Sequence, residues 1–88
     1  MFLSSSPPRR ILAYSEPVDM RKSFHGLVGL VQGLLGEDPL SGTLYVFTNR
    51  RRTHVKAVYW DRTGFCLLAK RLERGHFAFS AALNSSSA

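Results

Sequence analysis

Eighty-eight residues with 44% apolar content bound the chain to one small domain, excluding wholesale disorder, and no apolar run approaches membrane-spanning length. A single cysteine, Cys66, excludes an internal disulfide framework and points to a reducing compartment. The formal net charge of +6 lies wholly in the second half: Arg50, Arg51, Arg52, Lys56, Arg62, Lys70, Arg71 and Arg74 face only Asp61 and Glu73, whereas charges cancel before residue 50. An anionic partner follows from that asymmetry, with nucleic acid ahead of membrane because no amphipathic basic helix accompanies it.

In chain order, residues 1–9 with their "SSSPP" read as a flexible segment, and their apolar start is too short for a secretory leader. A cytoplasmic location is therefore expected. "RILAYS" (10–15) alternates weakly and reads as a short first strand closed by Pro17. Asp19 is suited to cap a helix, and Met20, Phe24, Leu27, Val28, Val31, Leu34 and Leu35 share the three-and-four spacing of one helical face. The spacing predicts a helix from Asp19 to Leu35 with Gly36 as its stop. Gly26, Gly29 and Gly33 weaken it unless they allow close approach to a sheet.

After Gly42 the pattern changes to "TLYVFTN", "HVKAVYW" and "FCLLAKR", three β-rich runs separated by turn signals. Asp61-Arg62-Thr63-Gly64 reads as a three-residue hairpin loop ending in a left-handed glycine. That loop would pair Trp60 with Cys66, Val58 with Leu68 and Lys56 with Lys70. Val55, Ala57, Tyr59, Phe65, Leu67 and Ala69 would then form an apolar bed for the helix. Lys56, Val58, Trp60, Cys66, Leu68 and Lys70 would form a mixed second face. The predicted architecture is α+β: a small antiparallel meander of three to four strands with one α-helix packed on one face. The domain spans 10–77, and 78–88 is a low-complexity tail, disordered or truncated.

The strings "VDMRKSFHGLVGLV", "DPLSGTLYVFTNRRR" and "VYWDRTGFCLLAKRLERGHF" resemble the small TnpB-like accessory protein of the insertion-sequence-sixty-six group of bacterial transposable elements. The likeness runs in unbroken order from about Tyr14 to Phe77. It implies a role in transposition beside a separate transposase, with no defined reaction of its own. Two departures stand out: Leu68 and Ala69 replace bulkier aromatic residues, and the tryptophan-proline stretch that follows Phe77 in the family is missing.

Arg50, Arg51 and Arg52 carry the main chemical signal, because guanidinium groups pair bidentately with phosphate oxygens and a loop can present several at once. The competing explanation is a solvated loop that keeps a sheet edge soluble. Lys56, Lys70, Arg71 and Arg74 would extend the basic surface, and Trp60 between lysines could stack on a base or serve as core. Arg21 and Lys22 at the helix start form a secondary phosphate candidate. Asp19, Asp61 and Glu73 each have a bland role as cap, turn opener and surface partner, so no two-metal catalytic set is expected. Cys66 and the scattered His25, His54 and His76 lack zinc-ligand spacing. Together these features predict a non-enzymatic accessory of DNA transposition, without metal or cofactor, binding DNA phosphates at transposon ends on the bacterial nucleoid. The alternative is a protein-interaction module that docks on the transposase or self-associates into a homo-oligomer through the mixed sheet face.

Overall fold

The structure is a computed structural model that describes residue 8 and residues 10–76. The expected tail at 78–88, most of the N-terminal segment and Phe77 lie outside the described residues. Five elements follow one another: β1 (Ile11–Ala13), α1 (Phe24–Gly33), β2 (Leu44–Thr48), β3 (His54–Trp60) and β4 (Phe65–Arg71). The strands form one sheet in the order β1-β2-β3-β4. The α+β class is as predicted, and the last three strands form the antiparallel meander. β1 differs: it lies parallel to β2, so the sheet is mixed. The reason is topological, since α1 intervenes and returns the chain to the end where β1 began, the usual crossover between parallel neighbours. Main-chain bonds from Leu44 N to Arg10 O, Tyr14 N to Val46 O and Val18 N to Thr48 O extend this pairing beyond the three ladder residues.

The helix starts later than its apolar spacing suggests. Asp19 does not cap it: its carboxylate accepts from the main-chain N–H of Arg21, and Lys22 N donates to Asp19 O, so 19–22 is a turn. Ser23 takes the capping position without a side-chain bond. The helix also ends earlier than predicted, at Gly33 with Leu34 N donating to Leu30 O, and Gly36, at φ +63°, turns the chain so that Glu37 N donates to Val31 O. Leu27 and Val31 are fully buried and pack with Tyr45, Phe47 and Val58 to make the core. Gly29 and Gly33 face open space, and a Cβ on Gly26 would meet only the Lys22 side chain. The helical glycines therefore do not serve close approach to the sheet. Tyr45 anchors the loop before β2, its hydroxyl donating to Asp38 O at 2.9 Å.

The β3–β4 register is one residue away from the predicted one. Trp60 opposes Phe65, Tyr59 opposes Cys66, Val58 opposes Leu67 and Lys56 opposes Ala69. The cause is Asp61, which lies inside the loop. Its main-chain N–H donates to Gly64 O, and its Oδ1 accepts from Thr63 N, Thr63 Oγ1 and Gly64 N at 3.0–3.1 Å. The loop is thus four residues long, and Arg62, not Gly64, takes the positive φ of 90°. Because strand side chains alternate, one step of slip exchanges faces. The helix consequently packs on the face of β3 and β4 that carries Val58, Phe65 and Leu67. Lys56 and Trp60 project from that same face, while Cys66 and Leu68 fall on the other. The mixed cluster of Val58, Trp60, Cys66 and Leu68 does not exist as a surface.

Donors from Thr63, main chain first and then hydroxyl, hold the Asp61 carboxyl below its ordinary value. A carboxylate depressed in the folded state adds stability that is complete above its unfolded pKa and disappears as the pH falls through the folded one. The urea midpoint should therefore fall as the pH drops from about 5 toward 2, and Asp61→Ala should flatten part of that fall. An unchanged acid profile in Asp61→Ala would show that the loop does not depend on the carboxylate.

Candidate nucleic-acid interface

The loop between β2 and β3 is built around Asn49. Its Oδ1 accepts from the main-chain N–H groups of Thr53 and His54, at 2.9 and 3.1 Å. Its Nδ2 reaches Thr53 Oγ1 at 3.0 Å and His54 Nδ1 at 3.1 Å. Asn49 N donates to His54 O, Arg52 N donates to Asn49 O, and the Thr48 hydroxyl donates to His54 O at 2.8 Å. Every polar group of Asn49 thus points inward, and the turn it closes leaves Arg50, Arg51 and Arg52 exposed. Arg52 sits at φ +59°, a left-handed conformation that costs an ordinary L-residue about 1 kcal/mol and that glycine or asparagine would adopt more readily. A backbone strained to hold an arginine suggests a use for the side chain.

The topology brings other cations to the same end of the sheet. His54 opposes Arg71 and Val55 opposes Lys70, while Leu72 N donates to Thr53 O at 2.8 Å, so the end of β4 runs beside the arginine loop. Lys70, Arg71 and Arg74 are all exposed. On the other flank, Ser15 and Pro17 join Thr48, Asn49, Arg50 and Arg52 around a small depression of about 130 Å³. The ion pairs among the described residues are Arg10–Glu37 at 3.2 Å and Arg21–Asp19 at 2.8 Å. No described carboxylate pairs with Arg50, Arg51, Arg52, Lys70, Arg71 or Arg74. These six cations outnumber the one carboxylate of the segment, Glu73, which forms an ion pair with none of them, so this end of the sheet is a rim of net positive charge.

The remaining candidates are placed differently. The Lys56 ammonium donates to Lys22 O at 2.8 Å, tying the segment before the helix to the sheet. Arg21 grips Asp19 through Nε and Nη2, and these bonds hold the Asp19 carboxyl well below the usual carboxylate range. Trp60 lies at the other end of β3, roughly 20 Å from His54 at ~3.3 Å per residue, with its ring edge-on to Phe65 at 5.1 Å. Burial, then the Asp61 carboxylate at 3.4 Å, pushes the Cys66 thiol up, away from thiolate reactivity. Among the described residues no three acids, histidines or cysteines gather as a metal site. Nor is any described helix long and apolar enough to cross a membrane.

Residues 9–88 match the model of the family described as IS66 Orf2 like protein. The chain belongs to the IS66 Orf2-like family. Among its relatives in Sinorhizobium fredii, the uncharacterized protein y4jC is 41% identical over 70 residues, covering 80% of this chain and 60% of y4jC. The uncharacterized protein y4hO is 38% identical over 80 residues, covering 91% of this chain and 70% of y4hO. The chain thus spans about 60–70% of the length of these curated relatives. No solved structure matches. Membership in the IS66 Orf2-like family associates the chain with transposition as a TnpB-like accessory protein, the relation its sequence suggests.

Sequence reasoning found the arginines but missed what holds them. The available signal was an asparagine closing a strand with a threonine four residues on, a pairing suited to side-chain closure of a turn. Two substitutions with opposite signs check this. Asn49→Ala leaves two main-chain amides without their acceptor and should lower unfolding free energy by about 1–3 kcal/mol. Arg52→Gly should raise it by about 1 kcal/mol by relieving the left-handed strain. Both are read from urea denaturation, and matching signs would contradict the described loop.

Proposed function

We propose that this protein is a non-enzymatic accessory of transposition that holds DNA by its phosphates at transposon ends, beside the transposase, in the bacterial cytoplasm. The observation that carries the proposal is the rim itself: six cations at one end of the sheet, none of them in an ion pair with a described carboxylate. Arg50, Arg51 and Arg52 supply the bidentate donors, and Lys70, Arg71 and Arg74 extend the surface along the exit of β4. Lys56 contributes indirectly, as the tie to Lys22 O, and Trp60 stays with the opposite hairpin. The loop arrives pre-shaped by Asn49, so little order has to be gained on binding. Nothing basic along its length resembles a recognition helix, which fits backbone contact in preference to reading of base pairs. Docking through a mixed sheet face loses its support, because the residues that would form that face lie on opposite sides of the sheet.

Neutralising about five phosphates gives a slope of log K against log salt of −4 to −5 on duplex DNA. The triple variant Arg50→Ala, Arg51→Ala, Arg52→Ala should make that slope shallower by about 2–3 and weaken binding across all sequences. Fluorescence anisotropy at several ionic strengths measures both. A flat salt response of the unaltered protein would contradict the proposal.

A further inference from the structure

Beside the rim, between the segment leading into α1 and the edge strand β4, lies a groove of about 240 Å³ lined by Met20, residues 54–56 of β3 and residues 69–71 of β4. It is smaller than the ~300–1,000 Å³ sites that enclose drug-sized ligands, a size suited to one planar ring system. Two cross-strand pairs make its floor, His54 with Arg71 and Lys56 with Ala69. Ala69 leaves room that a longer side chain would occupy, and Met20 supplies an adaptable apolar wall.

The polar groups in the groove are set by the loop next door. Asn49 Oδ1 is committed to two main-chain N–H groups, which fixes the carboxamide so that Nδ2 is the donor facing His54. His54 Nδ1 is therefore an acceptor, and the ring proton sits on Nε2. The imidazole is held in one orientation and has a donor to spare. The Lys56 ammonium gives one of its three N–H donors to Lys22 O and keeps its positive charge at the groove wall. The lining thus holds an imidazole and three cationic side chains, Lys56, Lys70 and Arg71, over a mostly apolar surface and no carboxylate. Histidine and arginine planes are surfaces on which unpaired bases stack.

We infer that this groove receives one unpaired nucleobase of a single-stranded nucleic acid whose backbone lies along the arginine rim. The inference rests on the phosphate reading above and adds strandedness to it. Within a duplex both faces of a base are stacked, so the groove is reached only by a single strand or a strand end. His54 lies two residues beyond Arg52, and Arg71 precedes the Leu72 that bonds to Thr53 O. One strand can therefore engage rim and groove together.

The test compares three oligonucleotides of equal length at fixed ionic strength, using the full chain: single-stranded oligo-dT, a single strand of abasic residues, and a duplex. Abasic and base-bearing strands carry the same phosphates, so their difference isolates the base. Oligo-dT should bind about tenfold tighter than the abasic strand. Ala69→Leu should erase that difference while leaving abasic binding and its salt slope unchanged. Equal binding of the two single strands would overturn the base site and leave the phosphate surface standing. The base site would also be overturned if Ala69→Leu weakened both strands alike. Absence of salt-dependent binding to all three ligands would overturn the phosphate surface and the base site with it.

Discussion

The arginine-bearing end of this molecule depends on one carboxamide. Asn49 accepts the two main-chain amides that would otherwise point into the β2–β3 loop, and with its other end it engages Thr53 and His54. With those amides satisfied, the loop needs no help from its side chains. Arg50, Arg51 and Arg52 are free to project outward. The same bonds start β3 at His54, and the Asp61 hairpin then sets which residues of β4 lie beside the loop. Mutual repulsion among three guanidinium groups is tolerable because the backbone beneath them is closed by local hydrogen bonds, and solvent or a polyanion screens them.

Charge in this chain divides by place into two kinds. Arg10 with Glu37, Arg21 with Asp19 and Lys56 with the Lys22 carbonyl are internal fasteners, each joining a loop or the helix entrance to its neighbour. The cations around the β2–β3 loop and the end of β4 form no ion pair with a described carboxylate. Composition alone reports both kinds as one net charge. Their separation is what turns an excess of basic residues into a surface with a direction.

The strands were legible because β-branched and aromatic runs end at clear turn chemistry: His54–Trp60 and Phe65–Arg71 stand where "HVKAVYW" and "FCLLAKR" place them. Register was not legible, since it hinged on whether Asp61 ends a strand or opens a loop. That choice is made by hydrogen bonds to Thr63 and Gly64 that no periodicity encodes. The late helix start has a similar origin, because Asp19 satisfies the Arg21 amide in a turn before any helix begins. The parallel setting of β1 follows from the crossover through α1, a consequence of chain path and not of strand composition. Of the proposed site, the arginines and the end of β4 were visible in the sequence. The groove at Ala69 was not, because the expected register put Lys70 opposite Lys56 and closed that space with charge.

Chemical-shift mapping on the isotope-labelled protein, titrated with a short DNA at low salt, addresses the central claim most directly. Amides of residues 50–54 and 70–74 should move together, while those of the Asp61–Gly64 hairpin at the far end of the sheet stay still. Shifts centred on that hairpin or on α1, or no localised shifts at all, would contradict the placement of the anion-binding surface.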